Sequence, residues 1–178
     1  YVTQNAFKSI DPVTGRPEYV AEHTPRKGVL IDFCPSLWGG KDWPPAAYNP
    51  NTKLVYIPSN DNHCGSLKSK AVEPMVAGEL KVGVEIPDIK MIVDPSTKSI
   101  GKLQAWDVAK GQRVWAQDFE SHSFGPVLTT GGNLVFQGGT NDRYFRAFDA
   151  ATGKQLWQFR TNSGVTAVPI SYMVDGVQ

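Results

Sequence analysis

The side chains able to do chemistry stand in a few short runs. Lys41-Asp42-Trp43 places a cation, an anion and a large flat ring on consecutive residues. Taken alone, that run reads as a solvated loop or as the wall of a binding site. Ser121-His122-Ser123 sets nucleophiles beside a base. Neighbouring residues of an extended chain point to opposite faces, however, so a hydrolytic dyad does not follow. Phe124 comes next, an apolar ring suited to core packing or to a flat ligand. His63 precedes Cys64, but no second ligand pair stands at a zinc-like spacing. Gly138-Gly139-Thr140-Asn141-Asp142 is glycine-rich yet leads into a strand pattern. Without a helix N-terminus to hold phosphate, it reads as a turn. Cys34 and Cys64 leave two readings open. A bond between them would add about 3–4 kcal/mol on the chain-entropy model and imply an oxidising compartment. The alternative is two buried free thiols.

What positions these residues is a chain of ordinary globular composition. Eighteen basic against 17 acidic side chains leave a net charge of +1, too small to point to nucleic acid or a membrane surface. No apolar run approaches the roughly 18 residues of a membrane span. The sequence opens at Tyr1 with no basic or apolar leader pattern. Both ends read as interior to a longer polypeptide.

The organisation is repetitive. Ala105-Trp106-Asp107 is followed by Gly111 and Trp115, and Ala147-Phe148-Asp149 by Gly153 and Trp157, at the same internal spacings. A weaker copy runs from Ser9 through Asp11 and Gly15 to Tyr19. The physics is that of a hairpin. The aspartate bonds the backbone of the turn it opens, glycine supplies a positive φ, and the returning strand lays its tryptophan on a packed face. Ala46–Tyr48 and Leu54–Pro58, around a turn at Asn49–Lys53, read as another strand pair. Pro126 to Gln137 reads as strand, Gly131-Gly132-Asn133 turn, strand. Arg143–Asp149 and Lys154–Phe159 complete that group. A unit of strand, turn and strand recurring about every 42 residues predicts an all-β fold, part of a β-propeller with about three to four blades present. Residues 65–100, with Pro74, Pro87 and Pro95, show no period and read as a long excursion between blades. The whole of 1–178 is one partial propeller on this reading.

Cys34-Pro35-Ser36-Leu37-Trp38-Gly39-Gly40-Lys41-Asp42-Trp43-Pro44-Pro45-Ala46-Ala47-Tyr48-Asn49-Pro50 resembles the large subunit of the methanol and ethanol dehydrogenases that use pyrroloquinoline quinone (PQQ). The resemblance continues through Leu54–Asn60 and His63-Cys64, resumes at Gly101–Asp107, and runs from Gly125 through Gly131–Gly138 to the end. It implies an eight-bladed propeller with tryptophan-docking repeats, with PQQ held against a Ca²⁺ or lanthanide ion. It implies oxidation of small primary alcohols in the periplasm, with a c-type cytochrome as electron acceptor, and leaves a homodimer open. It also implies that Cys34 and Cys64 are bonded.

The implied cofactor contacts fall on Lys41, Asp42, Trp43 and Phe124. Asp42 stands where the family usually has asparagine, and Phe124 where it commonly has tryptophan. An anion at 42 would repel the carboxylates of PQQ unless Lys41 compensates or the acid is protonated. Phe124 keeps the apolar contact and loses an indole donor. The catalytic base and the metal ligands find no match in these residues, so the 178 residues alone are expected to be inactive. The rival reading is a non-enzymatic propeller scaffold of the outer-membrane assembly type. A relative that has lost activity is the third.

Overall fold

The computed structural model describes residues 1–84 and 88–177, so Pro87, one of the prolines of the 65–100 stretch, lies outside the described residues. The strands run β1 (Phe7–Ile10), β2 (Pro17–Tyr19), β3 (Leu30–Phe33), β4 (Ala47–Asn49), β5 (Leu54–Asn60), β6 (His63–Lys68) and β7 (Lys90–Val93). They continue as β8 (Gly101–Asp107), β9 (Gln112–Phe119), β10 (Val127–Thr129), β11 (Leu134–Gln137), β12 (Tyr144–Asp149) and β13 (Gln155–Arg160). The fold is all-β: the one helical element among the described residues is a single 3-10 turn, Ala21–His23. No helix among them is long and apolar enough to cross a membrane.

The chain forms two compact units. One holds Tyr1, Lys41–Asp61 and the residues from Ser96 onward, and contains two four-stranded antiparallel sheets, β4-β5-β8-β9 and β10-β11-β12-β13. These are propeller blades, and the hydrophobic core lies between them. Leu54 and Tyr56 of β5, with Leu103 and Ala105 of β8, are buried against Val127, Val135, Phe148 and Ala150. Strand alternation produces this face: residues two apart share a side of the pleat, so Leu54 and Tyr56 are buried while Val55 between them is only partly covered. The other unit, Val2–Gly40 with Asn62–Pro95, contains the β1-β2 hairpin and the three-stranded sheet β3-β6-β7. The disulfide Cys34–Cys64 lies within it.

The long excursion is placed differently from the sequence reading. β5 pairs directly with β8, from Val55 opposite Trp106 to Asn60 opposite Gly101. The chain therefore leaves and returns inside one blade, between its second and third strands, not between blades. Nor is the stretch wholly irregular, since β6 and β7 pair from His63 opposite Val93 to Ser66 opposite Lys90. Strands this short give too few alternations to register as a period.

The repeat is three hairpins with one turn chemistry. Asp11 Oδ1 accepts from the amides of Val13 and Thr14, both at 2.8 Å. Asp149 Oδ1 accepts from the amides of Ala151 (3.1 Å) and Thr152 (2.8 Å) and from the Thr152 hydroxyl (2.7 Å). Gly15, Gly111 and Gly153 close the three turns at φ of 70°, 65° and 73°, a region that costs a residue with a Cβ. At Gly153 a Cβ would also lie 2.6 Å from the Trp115 ring. The preceding blade thus seats its tryptophan on this turn, with the indole donating to the Ala150 carbonyl at 3.0 Å.

The Asp149 carboxyl is held below the ordinary carboxylate range by the Thr152 hydroxyl and amide, helped by the Ala151 amide and the Lys154 charge against a smaller effect of burial. A carboxyl with a lowered folded pKa contributes stability above its unfolded value, about 3.9, and that stability is lost as pH falls through the folded pKa. Asp149→Asn retains an acceptor but no charge. Wild type is therefore expected to exceed the variant in urea midpoint at pH 7, and the gap to close below about pH 4. A pH-independent gap in paired denaturation curves would contradict this.

Candidate functional site

Lys41, Asp42, Trp43 and Phe124 all belong to the two-blade unit. The first three lie on the segment that enters β4, and Phe124 on the segment joining β9 to β10. The structure brings two of them together. The Trp43 and Phe124 rings lie near-parallel, 10° apart with centroids at 6.1 Å. The His122 ring stacks on Phe124 in turn, at 5.5 Å and 21°. Trp43 is 72% exposed. The result is an aromatic ladder whose outer rung is open to a ligand. Beyond its contact with Phe124, such an exposed indole offers a π-face.

Lys41 and Asp42 do not compensate each other. The Lys41 ammonium donates to the Asp42 main-chain carbonyl at 3.0 Å. Asp42 makes no ion pair among the described residues, and both residues are exposed. The Lys41 ammonium therefore lies against the main chain of Asp42, the residue before Trp43, and the Asp42 side chain faces solvent.

Ser121–Gly125 is held by close backbone approaches. The Ser123 amide donates to Asn60 Oδ1 at 2.8 Å, and the Phe124 amide to the Gly139 carbonyl at 3.1 Å. The Asn141 amide donates to Ser121 Oγ at 2.8 Å. A Cβ on Gly125 would fall 2.1 Å from the Gly138 carbonyl oxygen, and one on Gly139 2.0 Å from the Gly125 nitrogen. The glycines here are needed for two backbones to touch, which the sequence shows as Gly125-Pro126 and Gly138-Gly139 without showing that they meet.

His122 is a ladder ring, and Ser121 Oγ donates to its main-chain carbonyl (3.4 Å), so the two side chains form no dyad. His63 Nδ1 shares a hydrogen with Ser36 Oγ at 2.7 Å, both buried, as a structural couple beside the disulfide. His122, Asn60, Ser123 and Gln137 were not singled out by sequence as parts of the site. The Ser121-His122-Ser123 run is visible in the sequence, but as a pattern for a different chemistry. Among the described residues no group of three or more His, Cys, Asp or Glu side chains is placed to hold a metal ion.

A flat conjugated group could stack on these rings. Lys41 could offer a cation to a carboxylate on its edge, and the exposed Asp42 would limit how close an anionic group can come. PQQ, a planar quinone with carboxylates, has that chemistry.

Residues 117–178 match the family model described as glucose/ethanol/alcohol dehydrogenase, beta-propeller domain. The chain is 35% identical to the quinohemoprotein alcohol dehydrogenase ADH-IIG of Pseudomonas putida over 99% of its own length and 26% of that protein. It is 38% identical to lupanine 17-hydroxylase [cytochrome c] of a Pseudomonas species, over 100% of the chain and 25% of that protein. Its fold matches a europium-containing methanol dehydrogenase with a TM-score of 0.89 at 32% identity, covering 99% of the chain and 30% of that structure. The chain thus spans between a quarter and a third of the length of these relatives. Along almost its whole length the chain is thus similar, in sequence and in fold, to a part of the quinoprotein and quinohemoprotein alcohol dehydrogenases, and its residues 117–178 match the β-propeller domain model.

Proposed function

We propose that the protein bearing this chain oxidises small primary alcohols to aldehydes with PQQ, beside a Ca²⁺ or lanthanide ion, and passes the electrons to a c-type cytochrome. The observation that carries the reading is the open Trp43–Phe124 stack, with Lys41 two residues before Trp43, in a chain matched along almost its whole length by quinohemoprotein and quinoprotein dehydrogenases. Bound PQQ would supply a two-electron acceptor for the alcohol C–H bond, with the metal polarising the quinone. The residues of this chain do simpler work. Trp43 and Phe124 offer a flat apolar face that excludes water from one side of the ligand, and Lys41 attracts a carboxylate edge. The acceptor and the lanthanide alternative draw support from two relatives, one named for cytochrome c and one for europium. A periplasmic location fits the Cys34–Cys64 bond, since such bonds persist in oxidising compartments.

The test is reconstitution of the full-length polypeptide, prepared without quinone, with PQQ and either Ca²⁺ or Eu³⁺, followed by dye-linked alcohol oxidation. Activity that requires both quinone and metal is the expected result. Absence of PQQ binding would overturn the reading. The 178 residues alone are expected to bind PQQ weakly and to turn over no alcohol, because the open strand edges of a partial propeller leave half a pocket. Tight stoichiometric binding by the isolated chain would contradict that expectation.

A further inference from the structure

Behind the aromatic ladder lies a row of buried amides. Asn60, at the end of β5, is 2% exposed, and Gln137, at the end of β11, is fully buried. Asn60 Oδ1 takes the Ser123 amide at 2.8 Å. Gln137 Nε2 donates to Ser123 Oγ. Two different blades therefore grip one residue, Ser123, by its main chain and by its side chain. Ser123 lies between His122 and Phe124, the inner two rungs of the ladder.

This arrangement is poor as a source of stability. Gln137 Oε1 is buried and has no hydrogen-bond partner among the described residues, so the protein groups around it do not offset its desolvation. A half-satisfied polar network is worse for folding than an apolar filling of the same volume. By contrast, the neighbouring amide Gln104 is satisfied at both ends. It donates to Ser59 Oγ (2.7 Å) and to the Tyr1 carbonyl (3.0 Å), and accepts from Trp106 Nε1 (2.9 Å). Buried polar side chains kept at a cost are best explained by what they hold in place.

We propose that Asn60 and Gln137 are positioning residues which, by clamping Ser123, fix the orientation of the Phe124 ring and so preform the stack with Trp43. The functional meaning of the clamp rests on the ladder being the PQQ face, but its geometry does not. It acts before any ligand arrives. A shelf held in this way saves the ligand the cost of ordering it.

The test is ¹⁹F NMR of the 178-residue chain labelled with 5-fluorotryptophan, the Trp43 signal being assigned with Trp43→Phe. Phe124→Leu reports where that signal falls when the neighbouring ring current is lost. Asn60→Ala and Gln137→Leu are both expected to move the Trp43 signal most of the way to its Phe124→Leu position, leaving the other four tryptophan signals in place. Asn60→Asp, which keeps an Oδ acceptor for the Ser123 amide, is expected to restore it. Should Asn60→Ala fail to fold, Gln137→Leu and Asn60→Asp still decide the matter. An unmoved Trp43 signal in Gln137→Leu overturns the proposal. So does a shift of all five signals together, the mark of a general structural role. In the full-length protein the same two loosening variants are expected to weaken PQQ binding roughly tenfold. If wild type shows the ¹⁹F pattern yet binds no PQQ, the functional reading fails and the clamp stands.

Discussion

Replacing Trp115 by alanine is expected to cost about 3 kcal/mol of unfolding free energy, and the same replacement at Trp157 less than about 1 kcal/mol. The two residues hold the same place in the repeat. The strand register confirms the equivalence: Tyr56, Ala105 and Trp115 form one row across a blade, and Phe136, Ala147 and Trp157 form the corresponding row of the next. Their surroundings differ. Trp115 donates to the Ala150 carbonyl, its ring lies over Gly153, and it tilts against Tyr56 at 5.6 Å. Tyr56 is fully buried, and its hydroxyl reaches the same Ala150 oxygen at 3.0 Å. Truncating Trp115 opens a cavity in the seam between two blades and removes the donor that fixes their spacing. Trp157 is 48% exposed, and its ring pairs among the described residues lie in its own blade, stacking on Phe159 at 6.2 Å and meeting Phe145 edge-on at 6.4 Å. Its loss forfeits those contacts and little burial. Urea denaturation of both variants under the same conditions decides the point. Equal costs would mean that the tryptophan serves its own hairpin and not the seam.

That comparison also marks how far the sequence could be read. The turn chemistry was legible because it is local. An aspartate followed four residues later by a glycine specifies one hairpin, and Asp11, Asp107 and Asp149 all open such turns. The identical spacing before Trp115 and Trp157 could not say which tryptophan is covered, because cover comes from the next blade. The place of the excursion is hidden for a related reason. Pairing of β5 with β8 is a contact between distant residues, and no composition signal distinguishes an insertion inside a blade from a link between blades. At the site, Lys41, Asp42, Trp43 and Phe124 came from resemblance, and the structure shows which of them meet. Asn60 and Gln137 were invisible, since a single buried amide carries no motif. Its role lies wholly in the residue it touches.

Reduction of Cys34–Cys64 is expected to remove about 3–4 kcal/mol from the unit that contains it, the chain-entropy value for a loop of 30 residues. The bond joins the segment after β3 to the middle strand of a three-stranded sheet, since β6 lies between β3 and β7. Backbone contacts already hold the register there. Phe33 pairs with Gly65, the Ser36 amide donates to the His63 carbonyl at 3.1 Å, and Asn5 Oδ1 takes the Cys34 amide at 2.7 Å. The native arrangement therefore survives reduction, and the loss falls on the unfolded side, where the open chain gains freedom. Hydrogen exchange with and without a reductant reads this directly. Amides of β3, β6 and β7 should exchange on the order of a hundredfold faster or more once the bond is open, while those of β5, β8, β11 and β12 keep their protection. Equal acceleration in both groups would show that the bond stabilises the chain as one cooperative body. No acceleration in either would show that the backbone contacts around Ser36 and His63 already restrict the open chain as much as the bond does.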